Sequence, residues 1–98
     1  MPKFVMLSTL GPDGSARLRD NPERLREVST EVEAMGVKVL QQYALLGNWD
    51  FINILEAPDA TTMMRVATAL ASRGTLKTLT MAAAEVEDYI SALKSNPA

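Results

Sequence analysis

Two apolar runs in the middle of the chain, Val37–Leu46 and Phe51–Glu56, constrain the fold more than any other feature. They are separated by the tetrapeptide Gly-Asn-Trp-Asp at residues 47–50. Runs of this length and composition predict β-strands, and a short connection containing Gly, Asn and Asp predicts that the two strands pair as a hairpin. Pro58 cannot continue a central strand and Asp59 is a good helix N-cap. The segment therefore predicts strand, turn, strand and helix in that order.

The rest of the chain supplies the remaining strands and helices. The predicted segments are a strand at Lys3–Leu10, a helical turn at Ser15–Asp20, a helix opened by Asn21 and Pro22 and closed by Gly36, a helix from Asp59 to Gly74, a strand at Thr75–Met81 and a terminal helix at Ala84–Lys94. Apart from the short turn and the terminal helix, this is the order of a ferredoxin-like βαββαβ unit. Right-handed crossovers then place both main helices on one face of a four-stranded antiparallel sheet. We predict an α+β fold with an added C-terminal helix, in a single domain spanning residues 1–98.

The strand at Phe51–Glu56 is apolar on both of its faces. Ile52 and Ile54 form one alternating set, and Phe51, Asn53 and Leu55 form the other. An antiparallel sheet with one water-facing surface would carry polar residues at one of these sets. The pattern therefore predicts that the face away from the helices is covered, and a second copy packed across a two-fold axis is the simplest cover.

Composition narrows the chemistry that the chain can perform. It contains no cysteine and no histidine, which excludes disulfides, thiol nucleophiles, the usual zinc and haem ligands and serine–histidine hydrolysis. We expect no cofactor and no metal. A net charge of −2 gives no electrostatic footprint for nucleic acid, and no apolar run approaches the roughly 20 residues of a membrane span. A cytoplasmic protein without nucleic-acid or membrane partners is the expectation.

Four segments of the chain resemble the GYD-domain proteins. They are the Gly-Asn-Trp-Asp turn at residues 47–50, the strand and Glu-Ala-Pro-Asp at 51–59, the Asn-Pro-Glu-Arg helix opening at 21–24 and the last strand at 74–81. The resemblance implies a ferredoxin-like dimeric α/β barrel. Trp49 stands where the family has its naming Tyr, and Ala82 stands where members often carry an Arg. Related dimeric barrels include cofactor-free monooxygenases, isomerases, dehalogenating and haem enzymes, and ligand-binding or regulatory modules.

A small-molecule site is predicted between the two sheets of the dimer. If Ile52 and Ile54 pack under the helices, the other set of this strand faces the second sheet. The candidate ligand-binding residues are Tyr43, Trp49, Asp50, Phe51, Asn53 and Lys77. A mostly apolar pocket with a few convergent polar groups is typical of small-molecule sites. The alternative is a filled interface, in which Asp50 accepts backbone N–H bonds within its turn and Trp49 anchors a neighbouring element.

Four arginines occur close together in the sequence, at Arg17, Arg19, Arg24 and Arg26. Arg17 and Arg19 lie on the long first connection and are candidates for binding an anionic ligand. Acidic residues are interleaved with all four, which favours a solvated network of surface ion pairs.

Three functional hypotheses follow from these features. The first is a homodimeric GYD-type accessory protein, which associates with itself and binds a small molecule. The second is a cofactor-independent enzyme of the monooxygenase or isomerase type, for which Tyr43, Asp50 and Asn53 are the candidate catalytic residues. The third is a purely structural assembly subunit.

Overall fold

The computed structural model of the chain describes residues 1–74 and 76–95. Its elements, in chain order, are β1 (Lys3–Leu10), α1 (Gly14–Asp20), α2 (Arg24–Ala34), β2 (Lys38–Ala44), β3 (Phe51–Glu56), α3 (Ala60–Ser72), β4 (Leu76–Ala83) and α4 (Val86–Ser95). The predicted order of strands and helices is confirmed. The predicted first residue of the last strand, Thr75, lies outside the described residues.

The four strands form one antiparallel sheet in the order β2-β3-β1-β4. This is the strand order of the ferredoxin-like fold, in which the two central strands come from the two halves of the chain. The α+β, ferredoxin-like prediction is therefore confirmed at the level of the single chain.

Local sequence signals determine where the main helices end. Gly36 has a φ of +96°, and the Val37 N–H donates to the Val32 carbonyl at 3.4 Å, which is the pattern of a Schellman cap at the end of α2. The Asp59 side chain accepts a 2.7 Å hydrogen bond from the Thr62 N–H at the start of α3. Both helix ends agree with the sequence predictions.

The predicted opening of α2 is wrong. The helix begins at Arg24, after a turn, and no side chain caps its first residues. Asn21 instead ends α1, where its N–H donates to the Arg17 carbonyl at 3.0 Å. Residues 21–23 form a turn that leads into α2, in which the Arg24 N–H donates to the Asn21 carbonyl at 3.1 Å and the Leu25 N–H to the Pro22 carbonyl at 3.3 Å. The Ser15–Asp20 segment, predicted as a single turn, is part of this seven-residue helix.

The helices cover one face of the sheet. Directly opposed residues in antiparallel pairs share a face, and Phe4 pairs with Leu55 while Ser8 pairs with Phe51. All four of these side chains are buried. The core beneath the helices is completed by Met6, Val32, Val37, Ala57, Met63, Val66 and Leu70.

The orientation considered for β3 in the sequence analysis is reversed in the structure. Phe51, Asn53 and Leu55 face the helices, whereas Ile52 and Ile54 lie on the opposite face. Both sets are apolar, so alternation alone could not distinguish them. Pairing with the buried residues Phe4, Met6 and Ser8 of β1 places Phe51, Asn53 and Leu55 on the helix side.

The face without helices, here called the open face, is apolar. It consists of Val5, Leu7, Ile52, Ile54, Leu79 and Met81, which pair with one another across β3, β1 and β4. Leu79 and Met81 are 45% and 43% exposed. Tyr43 continues this surface on the edge strand β2, since it pairs with Ile52.

Helix α4 contributes nothing to the core, because none of its residues is buried. Its exposed apolar residues recur at helical spacing as Val86, Tyr89, Ile90 and Leu93, here called the α4 stripe. The described chain measures 55 × 28 × 19 Å with a radius of gyration of 15.3 Å. A compact chain of this length would have a radius of about 13 Å. The molecule is therefore elongated.

Candidate functional site

A cavity of about 550 Å³ lies between the helix layer and the sheet. Its floor is formed by β1 and β3, and its walls by α1, α2 and the C-terminal end of α3. Strands β2 and β4 contribute the further lining residues Val39, Gln42 and Leu76. We call it the helix-side cavity. The apolar residues that line it are Met6, Leu10, Leu18, Leu25, Val28, Val32, Val39, Phe51, Leu55, Leu70 and Leu76. The space is thus largely apolar, with polar groups at a few defined positions.

Two polar side chains lie on the floor of the cavity. Ser8 is only 3% exposed. The Oδ1 atom of Asn53 is buried and accepts no hydrogen bond from any described residue. An unpaired buried carbonyl oxygen is uncommon, because desolvation without a hydrogen bond is unfavourable. Asn53 therefore presents an unused acceptor next to an apolar cavity.

Ion pairs join the two helices that flank the cavity. Arg24 donates to Glu27 and to Glu31, each at 3.1 Å, and Arg73 at the end of α3 donates to the other oxygen of Glu31. The hydrogen bond from Arg73, followed by that from Arg24, holds the pKa of Glu31 below its ordinary value. Glu31 thus links α2 to α3 and occupies both arginines.

Arg17 is different from the other arginines that line the cavity. It projects from α1, is exposed, and makes no ion pair with any described residue. The acidic residue of the lining, Asp20, pairs instead with Arg19 at 3.6 Å. The cavity therefore carries one uncompensated positive charge, contributed by Arg17.

The predicted ligand-binding residues do not come together in the chain. Phe51 and Asn53 line the helix-side cavity, whereas Tyr43 and Lys77 are exposed residues on the side of the open face, where they pair with Ile52 and Thr9. The predicted enzyme site needed Tyr43 and Asn53 around one substrate. Since the sheet separates these two residues, a single chain does not assemble that site.

Asp50 and Trp49 lie in the turn before β3. The Asp50 Oδ2 atom accepts a 2.8 Å hydrogen bond from the Leu10 N–H, and the Asp50 N–H donates to the Ser8 carbonyl at 2.9 Å. Asp50 therefore fixes the turn against the end of β1. The role is structural, but the donor is on β1 and not within the turn as predicted. Trp49 is half-buried.

Ser8 is a lining residue that was not predicted from the sequence. It lies on the buried side of β1 with Phe4 and Met6, where a polar residue interrupts the apolar alternation. This interruption could have identified Ser8 from the sequence. The cavity itself was not predictable, because it depends on how far α1 and α2 stand from the sheet.

The residues that precede α4 lie at one end of the open face. Ala84 and Glu85, which precede α4, border a depression on this face together with Gln41 and Ile54. Lys3 binds Glu85 there, and this hydrogen bond holds the pKa of Glu85 below its usual range. The start of α4 is thereby held at the margin of the open face.

No group of three or more carboxylates within residues 1–74 and 76–95 is arranged to hold a metal ion. In the same part of the chain, no helix is long and apolar enough to cross a bilayer.

The model of the GYD domain matches residues 4–93. The chain belongs to the GYD domain family. A Thermus thermophilus protein named "Glutamine synthetase and cystathionine beta-lyase binding protein" is 52% identical over 95 residues, which cover 96% of this chain and the whole of that relative. The family resemblance found in the sequence is thus confirmed.

Two solved structures share the fold of this GYD domain. The crystal structure of FFRP-DM1 superposes with a TM-score of 0.58 at 21% identity, covering 86% of this chain and 100% of that chain. The crystal structure of TTHA0845, also from Thermus thermophilus, superposes with a TM-score of 0.55 at 17% identity, covering 87% and 95% of the two chains. At these identities the likeness concerns the fold alone.

Proposed function

We propose that this GYD domain is a homodimeric accessory protein that binds a metabolic enzyme of the glutamine synthetase or cystathionine β-lyase kind. The observation that carries the proposal is the 52% identity to the Thermus thermophilus relative, whose name states that it binds these two enzymes. The identity extends over the whole relative, so the elements that form its surface have counterparts here.

The homodimer in this proposal is supported by the open face. Leu79 and Met81 are exposed to solvent in a single chain, and exposed apolar patches of this kind mark interaction surfaces. A second copy is a suitable occupant, because two identical twisted sheets pack face to face with closely aligned strands. The α4 stripe begins at the margin of the same face and would extend the contact to the second copy.

The test is sedimentation velocity of the fluorescently labelled protein with purified glutamine synthetase and with purified cystathionine β-lyase from the same organism. We expect the labelled protein to co-sediment with at least one enzyme at micromolar concentration. An unrelated enzyme of similar size serves as the control. Failure to co-sediment with either enzyme, under conditions where the protein is folded, would contradict the proposal. A dimer without enzyme binding would instead favour the structural-subunit hypothesis.

A further inference from the structure

We propose that the helix-side cavity binds a small organic monoanion with an apolar body and a hydrogen-bond donor at the end opposite its negative charge. This site lies on the other side of the sheet from the open face. It goes beyond enzyme binding and does not depend on it, because all the residues that form it belong to one chain.

The size and lining of the cavity determine the body of the ligand. A volume of about 550 Å³ falls in the range of roughly 300–1,000 Å³ that is typical of small-molecule sites. Leu25 and Val28 of α2 face Met6, Phe51 and Leu55 of the sheet across this space. Apolar walls on both sides favour a flat or extended hydrocarbon body, since water in such a space gains few hydrogen bonds.

The charges around the cavity determine the sign of the ligand. Arg24 and Arg73 share Glu31, and Asp20 is paired with Arg19. Arg17 is left with a planar array of donors that suits a carboxylate. A ligand with one negative charge would compensate it, whereas a cation would find no free carboxylate in the lining described.

The floor of the cavity determines the polar group at the other end of the ligand. The Asn53 Oδ1 atom is buried without a donor, so a ligand O–H or N–H group would satisfy it. Such a bond discriminates strongly, because a ligand without the donor leaves the carbonyl oxygen unpaired. The ligand thus carries a charge at the Arg17 end and a donor at the Asn53 end.

The experiment is isothermal titration calorimetry with three matched probes on the isolated protein. The first probe, 6-hydroxy-2-naphthoate, has the charge, the apolar body and the donor. The second, 2-naphthoate, lacks the donor, and the third, 6-hydroxy-2-naphthamide, lacks the charge. We expect the first to bind at least about tenfold more tightly than either of the others, since a hydrogen bond to a charged group or to a buried unpaired acceptor is worth about that factor.

Variants of Arg17 and Asn53, together with a control variant, test whether these residues determine the affinities for the probes. Arg17→Gln should weaken binding of 6-hydroxy-2-naphthoate about tenfold and leave the amide unaffected, because only the acid uses the guanidinium charge. Arg26→Gln removes the same charge from α2, where Arg26 pairs with Glu23 and neither residue lines the cavity, and it should leave all affinities unchanged. Asn53→Leu should abolish the preference for the hydroxylated acid over 2-naphthoate.

Amide chemical-shift changes show where the probe binds. We expect them at Ser8, Val28 and Asn53, on the cavity side of the sheet. The proposal is overturned if no probe binds the wild-type protein at millimolar concentration, if Arg17→Gln and Arg26→Gln weaken binding equally, or if the shifts cluster at Leu79 and Met81. Because no enzyme is present, the result does not depend on the outcome of the co-sedimentation test.

Discussion

Asn53 lies on the floor of the helix-side cavity with its Oδ1 atom buried and unbonded. Its pairing partner on β2, Gln42, is exposed and accepts a 3.2 Å hydrogen bond from the Ser29 hydroxyl. Two amides that are adjacent in the sheet thus differ in hydrogen bonding. At the scale of single residues, the Asn53 oxygen is unpaired, whereas the Gln42 oxygen is already hydrogen-bonded to Ser29.

Replacing Asn53 by Leu should stabilise the unliganded protein. The variant removes an unpaired buried acceptor and adds apolar burial, so the free energy of unfolding should rise by about 1–2 kcal/mol. Guanidinium denaturation measures the change. Gln42→Leu is the control and should give no gain. A loss of stability in Asn53→Leu would mean that the Oδ1 atom is satisfied in solution by a buried water.

Glu31 gives the unfolding free energy a predictable dependence on pH. Its folded pKa is lowered by Arg73 and Arg24, so its contribution is fully present above the unfolded pKa and is lost as the pH falls through the folded one. Stability should therefore decline as the pH falls below the unfolded pKa of Glu31 towards its lowered folded pKa. The Glu31 side chain is 37% exposed, so the contribution should stay below about 1 kcal/mol.

Urea midpoints at pH 7 and pH 4 test this expectation. Glu31→Gln should lose less stability between these two values than the wild type, because the variant no longer has a carboxylate to protonate. Glu33 lies on the same helix and makes no ion pair with the described residues. Glu33→Gln should therefore lose as much stability between the two pH values as the wild type. Parallel behaviour of all three proteins would show that the Glu31 ion pairs are absent in solution.

At the scale of helices and strands, two aspartates occupy similar positions with different bonding. Asp59 caps α3 through its side chain, whereas Asp13 precedes α1 without a side-chain cap hydrogen bond. Asp59→Ala should lower the free energy of unfolding by about 1 kcal/mol, because the Thr62 N–H loses its acceptor. Asp13→Ala should cost much less. Thermal unfolding followed by circular dichroism distinguishes them, and equal losses would contradict the assigned cap.

The ends of the elements were predictable from sequence because they depend on local chemistry. Gly36 supplies the positive φ of a helix C-terminus, and Asp59 supplies an N-terminal cap. Neither role depends on the packing of distant segments. The predicted opening of α2 was wrong because Asn21 ends α1 and a turn over residues 21–23 precedes α2. Asn and Pro are as common in turns as at helix starts, so local signals did not distinguish the two.

The faces of β3 could not be assigned from local chemistry. Ile52 and Phe51 are both apolar, and only pairing with β1 shows which of them meets the helices. The sequence did mark Asn53 as a polar group in mid-strand that needs a partner. It could not show that Arg17 would border the same cavity, because these two residues meet only through the packing of α1 against the sheet.

At the scale of the whole molecule, the apolar surface is distributed unevenly. Leu79 lies within the continuous open face, whereas Met64 is an isolated exposed residue on α3 at 67% exposure. If the open face is the dimer contact, Leu79→Lys should shift the equilibrium to monomer by burying a charge between two sheets. Met64→Lys should leave the dimer intact. Size-exclusion chromatography with light scattering compares them, and a dimeric Leu79→Lys variant would place the contact elsewhere.

The proposed dimer requires that a second copy of the chain covers the open face. Sedimentation equilibrium of the wild-type protein at low micromolar concentration tests this most directly, because it gives the particle mass without assumptions about shape. The chain has a mass of 10.7 kDa, and a dimer should give a particle of about twice that mass. A folded, non-aggregating particle with the mass of one chain would contradict it.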